Sequence, residues 1–201
     1  LPKNFSKNFS EKIIEDLSFK LTNSQKLVLD QVNDDLLSDN RMFRIIQGDV
    51  GSGKTIVSFL SIINVIESGY QCALMSPTEI LAKQHFELSK KIFKNLDLKI
   101  DLITGKTDYK KRKEVLKNLD SGKIELIIGT HALFQKKIKF KKLGLIVIDE
   151  QHKFGVKQRS DLAKKGGNNC DVLLMSATPI PRTMMMSLYG DMDISKITEK
   201  P

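Results

Sequence analysis

Apolar residues in this chain follow two patterns that alternate. Short apolar runs bounded by glycine or polar residues read as buried strands: FRIIQ at Phe43–Gln47, CALMS at Cys72–Ser76, KIDLI at Lys99–Ile103, ELIIGT at Glu125–Thr130, LGLIVID at Leu143–Asp149 and VLLMS at Val172–Ser176. Between them, apolar positions recur at helical spacing. Leu27, Val28, Val32 and Leu36 share one face behind Ser24, a fair N-cap, and further helices are expected over Lys54–Glu67, Glu79–Phe93, Tyr109–Leu119 and Val156–Lys165. Strands alternating with helices predict an α/β fold, a mostly parallel sheet with helices on both faces.

Ligands of such sheets lie beyond the carboxyl ends of the strands. The segments at or after those ends are GDVGSGKT, SPTE, TG, GTH, DEQH and SATP, so the unusual residues of the sequence collect on one edge. Residues 1–20 are polar with scattered aromatics and read as a lead-in that leans on something else, with residues 21–201 as the lobe itself.

Composition narrows the partners. The 201 residues are 40% hydrophobic and 28% charged, a soluble globular balance, and the net charge of +9 favours an anionic partner, although surplus lysine also serves solubility. The two cysteines, Cys72 and Cys170, lack metal-ligand spacing and read as small buried hydrophobes of a reducing, cytoplasmic compartment. No apolar run approaches the roughly 20 residues that span a bilayer. His85 has no histidine or cysteine at metal spacing and reads as no ligand.

GDVGSGKT, comprising Gly48, Asp49, Val50, Gly51, Ser52, Gly53, Lys54 and Thr55, fits G-x-x-x-x-G-K-[ST] between a strand and a helix, the context that this phosphate loop requires. Its glycines let backbone N–H groups turn toward phosphate oxygens at a helix N-terminus. Lys54 would reach the terminal phosphates of ATP and Thr55 would bind Mg²⁺. Asp149 and Glu150 end a strand side by side, an arrangement costly without a cation opposite. Here Lys54 and Mg²⁺ would supply that charge. Asp149 would hold the metal's coordination sphere, and Glu150 would orient or deprotonate the attacking water. No Asn/Thr-Lys-x-Asp guanine reader occurs, which argues against a GTPase, and a small-molecule kinase would not need Glu150 or the SATP and GTH loops.

With these residues placed, the chain resembles the first, RecA-like motor lobe of a superfamily 2 helicase, and most closely the RecG family of bacterial ATP-dependent DNA helicases. GDVGSGKT is similar to that family's motif I, PTEILAKQH (Pro77–His85) to motif Ia, DEQHKFGVKQR (Asp149–Arg159) to motif II with its extension, and SATPIPRT (Ser176–Thr183) to motif III. Thr104–Gly105, IIGTHALFQ (Ile127–Gln135) and the tail SLYGDMDIS are also similar. Lys153 departs from the arginine usual in RecG. An acid at Gln151 would point to the transcription-repair coupling factor instead, and Ala there to a DEAD-box RNA remodeller.

The resemblance implies further roles. Gln25 would read adenine, with a plain helix-surface glutamine as the alternative. Phe19 reads as a staple into the core, with stacking on the base as its alternative. Gln151 and His152 would pass the nucleotide state to Ser176 and Thr178, unless His152 is an ordinary core histidine. Pro77, Thr78, Gly105, Thr130 and His131 would face the DNA backbone, contacts that carry no sequence information. The run KTDYKKRKEVLK (Lys106–Lys117) reads as a solvated helix face that could extend this surface. Met184–Met186 would be adaptable packing. A second lobe carrying arginine fingers and a wedge domain that splits branched DNA are expected in the longer protein. The implied function is ATP-driven remodelling of forks and junctions in recombination and repair. An RNA remodeller, or a nucleotide-binding module inactive on its own, remain as alternatives.

Overall fold

The computed structural model describes residues 2–135, 137–149, 170–178 and 192–200. Strands β1 (Phe43–Gly48), β2 (Gln71–Met75), β3 (Ile100–Ile103), β4 (Leu126–Gly129), β5 (Leu143–Ile148), β6 (Asp171–Ser176) and β7 (Asp193–Ile197) form one sheet in the order β3-β4-β2-β5-β6-β1-β7. Every neighbouring pair is parallel. This is the parallel α/β sheet that the alternating pattern predicts, and it has the architecture of the RecA-like lobe that the resemblance implies. Helices α2 (Asn23–Leu37), α3 (Lys54–Glu67), α4 (Glu79–Ile92) and α5 (Tyr109–Asp120) lie within about a residue of expectation, apart from the start of α2. The helix expected at Val156–Lys165 lies outside the described residues, as does the Met184–Met186 run.

The strand period of two divides the core between the sheet's faces. Ile46, Leu74, Leu145 and Val147 join α1 (Asn8–Asp16), α2, α3 and α4 on one side. Ile45, Ala73, Ile146 and Ile148 join Val115 and Leu119 of α5 on the other. Helix α3 is buried from Ile56 to Ile66, so the helix that carries the phosphate loop at its head runs through the middle of the core. Cys72 and Cys170 are buried, and burial pushes the Cys170 thiol up to about 12 and Cys72 well above its ordinary value. Thiols held protonated in this way are poor nucleophiles and fit the expected small-hydrophobe role. No described helix is long and apolar enough to cross a membrane.

Three details depart from the expectations. Thr22, not Ser24, caps α2: its hydroxyl accepts from the Gln25 N–H at 3.2 Å while its own N–H donates to Gln25 Oε1 at 2.9 Å. A Ser24 cap would forgo this reciprocal box. Leu27, assigned to the buried face, is 59% exposed. Strand β7 went unread because DISKI is an edge strand, buried fully only at Ser195 and Ile197.

What the lead-in leans on is this lobe. Lys3 is buried, its Nζ donates to Asp171 Oδ2 at 2.6 Å, and its N–H donates to the Leu36 carbonyl. Phe5 and Phe9 pack against the core, while Glu67 accepts the Ser6 and Phe9 N–H groups and the Ser6 hydroxyl. Burial raises the Glu67 carboxyl, but these donors outweigh it and hold the group below its ordinary value. Burial also raises Asp171, against the opposing pull of Lys3 and of the Met42 N–H that bonds its Oδ1. Lys3→Met should therefore strand a buried carboxylate and destabilise the lobe by about 3–5 kcal/mol. Chemical denaturation checks it; a loss under about 1 kcal/mol, the range of surface pairs, would mean the pair contributes little.

Candidate functional site

The loop after β1 is shaped by its glycines. Gly51 and Gly53 adopt φ of +82° and +85°, a left-handed backbone that disfavours other residues, and a Cβ on Gly53 would lie 2.2 Å from Gln25 Nε2. Gly53 caps α3, so the loop delivers the amides of that helix's first turn. Lys54 Nζ donates to the Gly48 and Asp49 carbonyls at 2.5 and 2.9 Å. Ser52 is buried, and its hydroxyl has no hydrogen-bond partner among the described residues. A cationic amine, oriented amides and a spare buried hydroxyl at a helix N-terminus suit a polyphosphate.

Gln25 sits beneath this loop, fully buried, with Nε2 donating to the Ser52 carbonyl at 2.8 Å. The side chain therefore ties the α2 cap to the phosphate loop, and the helix-surface alternative for Gln25 is excluded. Beside it opens a cavity of about 520 Å³ lined by Ile13, Leu17, Phe19, Gln25, Thr55 and Ile56, among others. Its volume and apolar walls suit a flat heterocycle. Phe19 is 43% exposed and borders this cavity, so it is not the core staple expected. The sequence pattern did not single out Ile13 or Leu17, because α1, which carries Ile13 and is followed by Leu17 as its C-cap, was itself unread.

Asp149 follows β5, its N–H donating to the Met75 carbonyl of β2 at 2.8 Å. The partner of its carboxylate is His85: Nε2 and Oδ2 are 2.7 Å apart, both side chains mostly buried. Reading His85 as no ligand left this role unseen. Its motif was recognised, but its partner lies 64 residues along the chain. Glu150, Gln151 and His152 lie outside the described residues, as do Lys153 and the IPRT segment. Ser176 ends β6 beside β1, opposite Gln47, and its Oγ lies 3.1 Å from Thr178 Oγ1, so this turn closes on itself next to the phosphate-loop strand. Among the described residues no cluster of three or more His, Cys, Asp or Glu could hold a metal. Mg²⁺ carried with a nucleotide needs only one or two protein oxygens, since phosphates and waters complete its shell, and Thr55 with Asp149 would meet that need.

The other half of the same edge holds the residues expected to face DNA. Thr78 caps α4, accepting the Leu81 N–H at 3.2 Å, and is exposed, as are Gly105 after β3 and His131 after β4. Pro77 is half-buried. Thr130 differs: its side chain is buried, its hydroxyl has no partner among the described residues, and its exposed neighbour is His131. Arg112 on α5 joins two of these loops, donating to the Thr104 carbonyl at 2.7 Å and to Gln135 Oε1 at 2.9 Å. Lys111 donates to Asp101 at 3.0 Å, a bond that raises its ammonium above the ordinary value. The lysine run is thus a solvated face only in part.

The DEAD/DEAH box helicase family matches residues 22–187, most of the chain. The chain belongs to that family. Relatives within it include the ATP-dependent DNA helicases RecG of Thermotoga maritima, 45% identical over all of this chain and 26% of the relative's length, and of Bacillus subtilis, 48% identical over 98% of this chain and 29% of the relative. A solved structure of RecG bound to a three-way DNA junction superposes with a TM-score of 0.87 at 41% identity, covering all of this chain and 27% of that one. The DEAD-box helicase Mss116 bound to ssRNA shares the family fold at a TM-score of 0.74 and 20% identity. The chain spans between a quarter and a third of the RecG relatives named here.

Lys54→Ala should weaken nucleotide binding by roughly 1.5–3 kcal/mol, the value of a charge-assisted contact. Titration with and without Mg²⁺ measures it, and an unchanged affinity would remove the phosphate-loop assignment.

Proposed function

We propose that this chain is the ATP-binding motor lobe of a DNA helicase that remodels branched DNA in recombination and repair. The observation that carries the reading is the 41% identity, over the whole chain, to a RecG structure held on a three-way junction. The geometry supports it. Gly48–Thr55 would cradle the phosphates of ATP, Gln25 and Phe19 would border the adenine, and Thr55 and Asp149 would hold the Mg²⁺ that neutralises phosphate charge. Glu150 would orient or deprotonate the attacking water, with Gln151 and His152 relaying the nucleotide state to Ser176 and Thr178. Pro77, Thr78, Gly105, His131 and the turn at Thr130 would meet the DNA backbone without reading sequence, as a motor on arbitrary sequence requires.

In this reading residues 1–20 connect to a preceding wedge domain while packing on the lobe, and a second lobe completes the ATP site of the longer protein. Cytoplasmic residence in a bacterium goes with DNA as the partner. The test is steady-state ATPase and strand separation by the full-length protein on forked DNA, linear duplex and structured RNA. Stimulation by the fork above the other two, with unwinding, is expected. Stimulation by RNA alone would assign the lobe to an RNA remodeller.

A further inference from the structure

His85 lies where three functional elements of the lobe meet. It sits two turns into α4, whose N-cap is the DNA-side Thr78, about 10 Å along the helix axis. Its ring stands edge-on to Phe59 of α3, with centroids 6.3 Å apart and planes at 83°, and Phe59 is one turn below Thr55 on the phosphate-loop helix. Its Nε2 meets Asp149 Oδ2 at the end of β5. The buried positions of α4 are Ala82, His85 and Ser89, so a histidine occupies a place on the packed face where an apolar residue would cost nothing in desolvation.

We propose that His85 is a positioning residue for Asp149, fixing the carboxylate that serves Mg²⁺ and tying that carboxylate to the helix which begins at the DNA surface. The inference rests on the nucleotide-site reading given above. A carboxylate oxygen only accepts, so the proton of this bond sits on Nε2. Engaging Oδ2 fixes the rotation of the carboxylate, which would then present its other oxygen in one orientation when Mg²⁺ is bound. Partners of this kind, one bond removed from a metal, orient the ligand and commonly change metal affinity or activity by roughly 10–100-fold when lost. Because the same ring bears on α3 and is carried by α4, a displacement of α4 by DNA at Thr78 would reach Asp149 directly.

The experiment compares full-length wild type with His85→Leu, which keeps the apolar contact with Phe59 but has no donor, and His85→Gln, whose amide nitrogen can occupy the place of Nε2. Binding of a fluorescent ADP analogue is titrated in Mg²⁺ and in EDTA, without DNA. Expected is a Mg²⁺-to-EDTA affinity ratio lowered about tenfold in His85→Leu and largely restored in His85→Gln, with EDTA affinity unchanged in both. Fork-stimulated ATPase at saturating Mg²⁺ should then be reduced more than the DNA-free rate in His85→Leu. A wild-type ratio in His85→Leu, equal loss in both variants, or a parallel fall of both affinities would overturn the proposal; the last would show that His85 only supports the fold. If wild type itself binds nucleotide indifferently to Mg²⁺, the metal role read for Thr55 and Asp149 fails, and the role of His85 with it; if it binds no nucleotide at all, the nucleotide-site reading fails.

Discussion

Glu150→Gln should leave ATP bound and nearly abolish its hydrolysis in the full-length protein. The amide has the shape of the carboxylate but cannot accept a proton or align water as an anion does, and general-base contributions of this kind are worth about 10²–10⁴-fold. Lys54 and the loop amides, which hold the phosphates, are untouched, so the dissociation constant for Mg-ATP should stay near wild type. Rate and affinity measured side by side separate this role from a structural one. Loss of binding with normal residual turnover would show that Glu150 supports the fold and that the paired acids need another explanation.

The second large effect concerns residues 1–201 tested by themselves. In related phosphate-loop enzymes an arginine finger contributes about 10³–10⁵ to kcat. In the proposed two-lobe motor that charge comes from the second lobe. Residues 1–201 alone should therefore bind Mg-nucleotide weakly and hydrolyse ATP slowly. Fork DNA should accelerate them little, and binding to DNA should be salt-sensitive and indifferent to sequence. Steady-state ATPase of residues 1–201 beside the full-length protein gives the comparison. Strong fork-stimulated turnover by residues 1–201 would mean that one lobe holds the whole catalytic site.

The difference between what was legible in the sequence and what was not has a physical origin. Buried parallel strands announce themselves, since residues such as Leu145–Ile148 are apolar on both faces, and the phosphate loop follows from glycine spacing between a strand and a helix. Helix α1 was illegible because its order comes from elsewhere: it begins behind Lys7 in a left-handed conformation without a side-chain cap, and Glu67 of α3 secures its N-terminal end. Edge strand β7 alternates too weakly to stand out beside the buried runs. Thr22 took the cap from Ser24 because only Thr22 has Gln25 three residues on. At the site, loop residues could be read one by one, but His85 with Asp149 and Arg112 with Gln135 exist only once the helices are packed.

The central claim is spatial: nucleotide at the β1 half of the sheet edge, DNA at the β2, β3 and β4 ends, with Asp149 between them. Amide hydrogen exchange of the full-length protein, measured free, with Mg-ADP and with forked DNA, tests it directly. Nucleotide should protect the amides of Asp49–Thr55, whereas DNA should protect those around Thr78, Gly105 and His131. Protection of the phosphate loop by DNA with none at Thr78, Gly105 or His131 would contradict the account.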